Sequence, residues 1–178
     1  MADPMADYQK AADGFAVVLG RVGDRWDAAS PCEGWTAADV ADHIIGGTGY
    51  FAGAFGGTPA EVDGDRPTQY AAQRAALVDA ASQEGVLDRT VTAPFGPVLP
   101  IRVMLGIYTT DTLLHTWDLA RSIGEEVGLD ADLLQRSWDG AKPMDAVLRG
   151  NAAFGPIVET DDDAPMQARA LGFFGRRA

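Results

Sequence analysis

The sequence predicts an all-α fold, a bundle of four principal helices. Three observations carry this expectation. Apolar residues recur at helical spacing in stretches near residues 7–28, 36–55 and 101–123, and residues 67–84 are Ala-rich with a small-residue face. The connections between these stretches are short or medium and rich in Gly and Pro. β character is confined to residues 85–100, and there is no internal repeat or low-complexity tract. A chain of 178 residues can bury a real core, so one helical domain over 1–178 is expected.

The first helix is expected over about residues 7–28, where Phe15, Val18, Leu19, Val22 and Trp26 make one stripe. Gly14, Gly20 and Gly23 lower its intrinsic propensity by roughly 1 kcal/mol each relative to Ala, so packing must hold it. SPCEGW, residues 30–35, reads as a loop punctuated by Pro31 and Gly34. Thr36 is a candidate N-cap, with Asp39 three residues on completing a shortened capping box. The second helix then runs to about Phe55, with Val40, Ile44, Gly47 and Phe51 on its apolar stripe and His43 on the same face.

A polar, Gly-rich connection spans residues 56–66, and Pro67 suits the first turn of the third helix, residues 67–84. The Ala-rich face from Ala71 to Ala81 fits either close packing inside the bundle or the seam of a homodimer. The stretch 85–100 combines a β pattern with three prolines and a glycine in PFGPVLP, which predicts a short extended or hairpin excursion before helix four. The fourth helix is expected from Ile101 to Ile123, with a core stripe of Ile107, Leu114 and Trp117 beside a second stripe of Met104, Asp111 and His115. Gly124 fits the left-handed stop position. Short extra helices follow: one over 131–141 capped by Asp130 and broken by Pro143, one to Leu148, and one in the tail with Pro165 near its start.

The formal net charge is −12. Such a field repels a phosphate backbone and an anionic bilayer, so neither nucleic acid nor membrane is an expected partner. No apolar run approaches the roughly 18 residues of a membrane span. MADPMADYQK lacks a basic n-region and an apolar h-region, which argues against a secretory signal. Cys32 is the single cysteine, so no internal disulfide can form, and a cytoplasmic address is expected.

The chemistry-bearing residues are few. The chain has two histidines, His43 and His115. Asp111 and His115 stand four residues apart, on one face of a helix and one turn from each other. If the second and fourth helices face each other, His43, Asp111 and His115 can share a divalent ion. Two imidazoles and a carboxylate leave positions open for water or substrate. Such a set suits zinc first, with nickel, iron or cobalt as alternatives. The competing reading is that each histidine is an ordinary core residue bonded to a carbonyl. Cys32 precedes the His43 helix and is either an additional ligand or a small packed residue. Asp118, three residues after His115, either orients that imidazole or pairs with Arg121. Trp35 and Trp117 read as packing residues, and Arg102 and Arg121 as candidate contacts for an anionic substrate.

GWTAADVADHIIGG together with DTLLHTWDLARSIG resembles the DinB-like metalloprotein superfamily, in the branch related to the mycothiol-dependent maleylpyruvate isomerase metal-binding domain. The tail APMQARALGFFGRR is similar to that branch as well, so the resemblance covers nearly the whole chain. It implies a four-helix bundle in which helices two and four supply three ligands to a divalent metal, here His43, Asp111 and His115. It also implies chemistry in which a small-molecule thiol of the mycothiol type attacks a small electrophile, giving transfer or isomerisation. The isomerase has Glu at the position of Asp111, one methylene longer, and the FGRR ending leaves little room for its additional C-terminal domain. The resemblance therefore implies the metal site more directly than the isomerase reaction. Two functions stay open: a metal-dependent enzyme using a thiol cofactor, and a non-catalytic metal-binding or partner-binding bundle.

Overall fold

The computed structural model describes residues 3–150 and 154–178. They fall into two compact units, Met1–Glu125 and Glu126–Ala178. The molecule is mostly helical, with a single two-stranded sheet among the described residues.

In the first unit, α1 (Pro4–Leu19) packs along α4 (Ile101–Ser122), and α2 (Ala37–Ala54) packs along α3 (Arg66–Ala81). Contacts of α1 with α3 and of α2 with α4 close the bundle. Phe15, Leu19, Ile44, Phe55, Leu77, Leu105, Leu114 and Leu119 are fully buried in it. Removing that apolar surface from water is the main force holding the helices together. Polar backbone ends are covered by local caps: Asp3 caps α1, Thr36 caps α2 and Asp65 caps α3. The Thr36–Asp39 capping box expected from the sequence is present in both directions.

Several boundaries differ from expectation. α1 begins at Pro4 and ends at Leu19, earlier than the apolar stripe suggests. Gly20 caps the helix, and the left-handed Gly23 (φ 63°) turns the chain beyond it. Val22 is still buried, but from a turn, and Trp26 carries the Arg66 guanidinium 4.6 Å from its ring centroid. α3 ends at Ala81, three residues short of the expected limit. The hairpin pairs β1 (Thr90–Thr92) with β2 (Val98–Pro100) in antiparallel register, Val91 opposite Leu99. On the Ala-rich face of α3, Ala80 and Ala81 pack inward, whereas Ala71 and Ala75 line an open groove of about 390 Å³ beside Ala16 and Leu19 of α1.

α4 is the central helix. Every residue from Thr112 to Ala120 is buried, so it has no solvent face there. This is why a narrow stripe misjudged it: Ile107 is only half-buried, while Leu105 and Tyr108 carry the packing. Its threonines are satisfied within the helix, Thr109, Thr112 and Thr116 each donating to the carbonyl four residues back. Tyr108 stacks on Tyr8 and donates to Ile44 O at 2.8 Å, with Thr48 Oγ1 at 2.7 Å.

In the second unit, α5 (Ala131–Ala141) packs against α7 (Met166–Phe173). α5 ends just before Pro143 and a short helix resumes beyond it, as expected. Pro143 sits in a single 3-10 turn (Lys142–Met144) that runs into the short α6 (Asp145–Gly150). The segment around Val158 is neither helix nor strand and pairs with Gly172, Val158 N donating to Gly172 O at 2.9 Å. A Cβ on Gly172 would lie 2.6 Å from Val158 O, so the approach needs glycine. Among the described residues no helix is long and apolar enough to cross a membrane.

Candidate metal centre

Two helices and one loop build the site. α2 contributes His43. α4 contributes Asp111, His115 and Asp118, on consecutive turns of one face. The loop before α2 folds back on itself: Ser30 N donates to Trp35 O at 2.9 Å, and Ala37 N to Ala28 O at 2.8 Å. This brings Cys32 and Trp35 to the same place.

His43 Nε2 lies 3.0 Å from Asp111 Oδ2, and His115 Nε2 lies 3.5 Å from Asp111 Oδ1. The two imidazole rings meet edge to face with centroids 4.8 Å apart. One donor atom from each of His43, Asp111 and His115 falls within 4.8 Å of the others. Nitrogen and carboxylate oxygen converging at this spacing are a donor set of the kind that holds a divalent transition ion, so the residues present fit such a group. The hydrogen bond that the His43 imidazole donates to Asp111 raises its pKa above the ordinary value, against the opposing effect of burial.

One expectation is corrected. His43 does not share the buried face of α2; its side chain is 41% exposed. That face is centred on Ala37, Ile44 and Thr48, all fully buried. At about 100° per residue, His43 falls well round the helix from that centre, on the flank turned toward α4. His115 is 8% exposed. The site is therefore graded, closed at His115 and open to solvent at His43.

Asp118 is completely buried, and its Oδ2 stands 2.9 Å from His115 Nδ1. The carboxylate thus faces the imidazole edge opposite to the one facing Asp111, which favours the orienting role over a surface role for Asp118. Cys32 Sγ lies 3.4 Å from the same Asp118 oxygen. Cys32 accordingly groups with His115 and Asp118, not with His43 and Asp111. Trp35, expected as a packing residue, forms a wall of the site: its ring stacks on His115 (centroids 5.7 Å apart, planes at 11°) and lies 5.2 Å from the His43 ring. The sequence signal for this was only its place in a loop directly ahead of the His43 helix. Trp117 is core, as expected. Arg102 pairs with Asp88 and sits more than two turns before Asp111 on α4, about 13 Å along the helix axis, so it does not line the site. The Arg121 guanidinium lies 5.9 Å from the Trp117 ring centroid.

The family model of the mycothiol maleylpyruvate isomerase N-terminal domain matches residues 8–120. This chain belongs to that family. The family match lies inside the first unit and contains His43, Asp111 and His115. Two uncharacterized proteins of Mycobacterium tuberculosis, from strains CDC 1551 / Oshkosh and ATCC 25618 / H37Rv, are each 36% identical to this chain over 146 residues, which is 80% of this chain and 79% of theirs. No solved structure matches the chain.

Proposed function

We propose that the protein is a divalent-metal enzyme that uses a small-molecule thiol of the mycothiol type against a small electrophile, as a transferase or isomerase. The observation that carries this reading is the convergence of His43, Asp111 and His115 from two helices. His43 Nε2, an Asp111 oxygen and His115 Nε2 would hold the ion. Bound there, a divalent ion supplies Lewis acidity that favours thiolate over thiol at neutral pH. The protein's own residues do the positioning. Asp118 fixes the His115 ring from behind, and Trp35 shields its face from water. The half-exposed His43 side is where reactants reach the site. Zinc is the leading candidate metal, with nickel, iron and cobalt as alternatives.

Elemental analysis of untreated protein is the first test. A stoichiometric divalent ion is expected, lost in His43→Ala, Asp111→Ala and His115→Ala. Native protein without metal would overturn the reading. The metal-loaded form should then turn over mycothiol with maleylpyruvate or a related electrophile. Metal binding without turnover across a panel of thiols would reduce the function to a metal-binding bundle in which the ion ties α2 to α4.

A further inference from the structure

His115 offers its two ring nitrogens to two different groups of donors. Nε2 faces Asp111, while Nδ1 faces Asp118 Oδ2, with Cys32 Sγ 3.4 Å from that oxygen. Cys32, His115 and Asp118 each place one ligand-type atom within 4.8 Å of the others. Two features distinguish this cluster from ordinary helix packing. Asp118 puts a carboxylate where no solvent reaches it. His115 Nδ1 is also buried, with that carboxylate 2.9 Å away. Burying a carboxylate costs free energy, which the contacts of Asp118 with His115 and Cys32 offset in part. A cation held by all three groups would offset the buried charge further. The 3.4 Å separation lies within the roughly 3.3–3.7 Å between neighbouring N, O and S ligands of a tetrahedral ion, taken from typical bond lengths, and the 2.9 Å pair would part by about 0.4 Å to hold one.

We propose that Cys32, His115 Nδ1 and Asp118 form a second, thiolate-containing metal site for soft divalent ions, which competes with the His43–Asp111 pair for His115. A neutral imidazole has one nitrogen with a free lone pair and carries its proton on the other. His115 can therefore serve one site at a time. Filling the second site requires the ring proton on Nε2, and the Cys32 thiol proton passes to solvent as the sulfur becomes a thiolate ligand. Thiolate selects thiophilic ions such as cadmium, whereas the imidazole and carboxylate set suits nickel, and zinc suits either. The site would thus sort ions by softness and yield His115 to a soft ion at the expense of the first centre. The proposal rests on the Cys32 side of the ring and is independent of any thiol-transfer chemistry.

The test is a titration of the metal-free full chain with cadmium, followed by thiolate-to-cadmium charge-transfer absorbance, alongside a separate nickel titration. In the wild type the band should grow to saturation at stoichiometric cadmium, and cadmium should displace prebound nickel. Cys32→Ser and Cys32→Ala should lose the band and keep nickel binding. His43→Ala should keep the band and lose nickel binding. Absence of the band in the wild type overturns the proposal. So does its loss in His43→Ala, which would assign Cys32 to the first set. Failure of the His43–Asp111–His115 centre reads out separately, as nickel binding unaffected by His43→Ala.

Discussion

Asp118→Asn isolates what the buried carboxylate does for the metal centre. The substitution keeps the side-chain shape and one acceptor oxygen 2.9 Å from His115 Nδ1, and removes the negative charge. A carboxylate held against the far nitrogen of a ligating histidine fixes its ring orientation and raises its basicity. Losing such a partner typically weakens metal binding about 10–100-fold. Stability linkage converts this into a melting shift. With nickel at 100 times the wild-type Kd, binding adds about 2.7 kcal/mol. A variant bound tenfold more weakly gains about 1.4 kcal/mol, and one bound a hundredfold more weakly about 0.4 kcal/mol. At roughly 2–4 °C per kcal/mol for a chain of this size, the nickel-induced shift should fall from about 5–11 °C to about 1–6 °C. Differential scanning calorimetry of both proteins, each with and without nickel, makes the comparison internal, so any cost of the substitution to the metal-free fold cancels. Equal nickel-induced shifts in the two proteins would refute the assignment of Asp118 as the group that positions His115.

The remaining predictions concern the scaffold. Thr36→Ala removes the hydroxyl that accepts from Asp39 N and should cost about 1 kcal/mol in a urea melt, with slope unchanged. Hydrogen bonds from Thr36 hold the Asp39 carboxyl below its usual pKa. Its stabilising contribution should therefore be complete above the unfolded value and disappear as pH falls through the lowered folded value. The stability gap between wild type and Asp39→Asn should accordingly close on acidification, and a gap that widens instead would contradict the sign. Leu105→Ala empties a fully buried position on α4 and should cost about 2–5 kcal/mol by the same melt. Gly172→Ala drives a Cβ against the Val158 carbonyl and should cost about 1–3 kcal/mol, detected as faster proteolysis within Glu126–Ala178. Unchanged cleavage there would show that the chain relaxes without loss.

Local chemistry made much of this fold legible in advance. The Thr36–Asp39 box, Asp130 as the α5 cap, the hairpin ahead of Ile101 and the stop at Gly124 all depend on residues a few positions apart, and all are present. Elements were misjudged where burial is set by several neighbours at once. Val22 is buried from a turn, so a helical stripe ran on past the true end of α1. α4 is enclosed on every side over Thr112–Ala120, so no single stripe could describe it.

The same division holds at the candidate metal centre. The sequence by itself determined that Asp111, His115 and Asp118 share one face of a helix, because helical periodicity fixes the spacing of residues three and four apart. It also singled out His43 as the other imidazole. Only the tertiary structure decided that His43 meets Asp111 from an open flank, that Trp35 stacks on His115, and that Cys32 stands on the Asp118 side of that ring. These contacts join positions up to 86 residues apart, as Cys32 and Asp118 are. Their geometry depends on how α2 rotates about its own axis and how the loop before it folds back. Both are set by packing against the whole bundle, and no local pattern of residues encodes them.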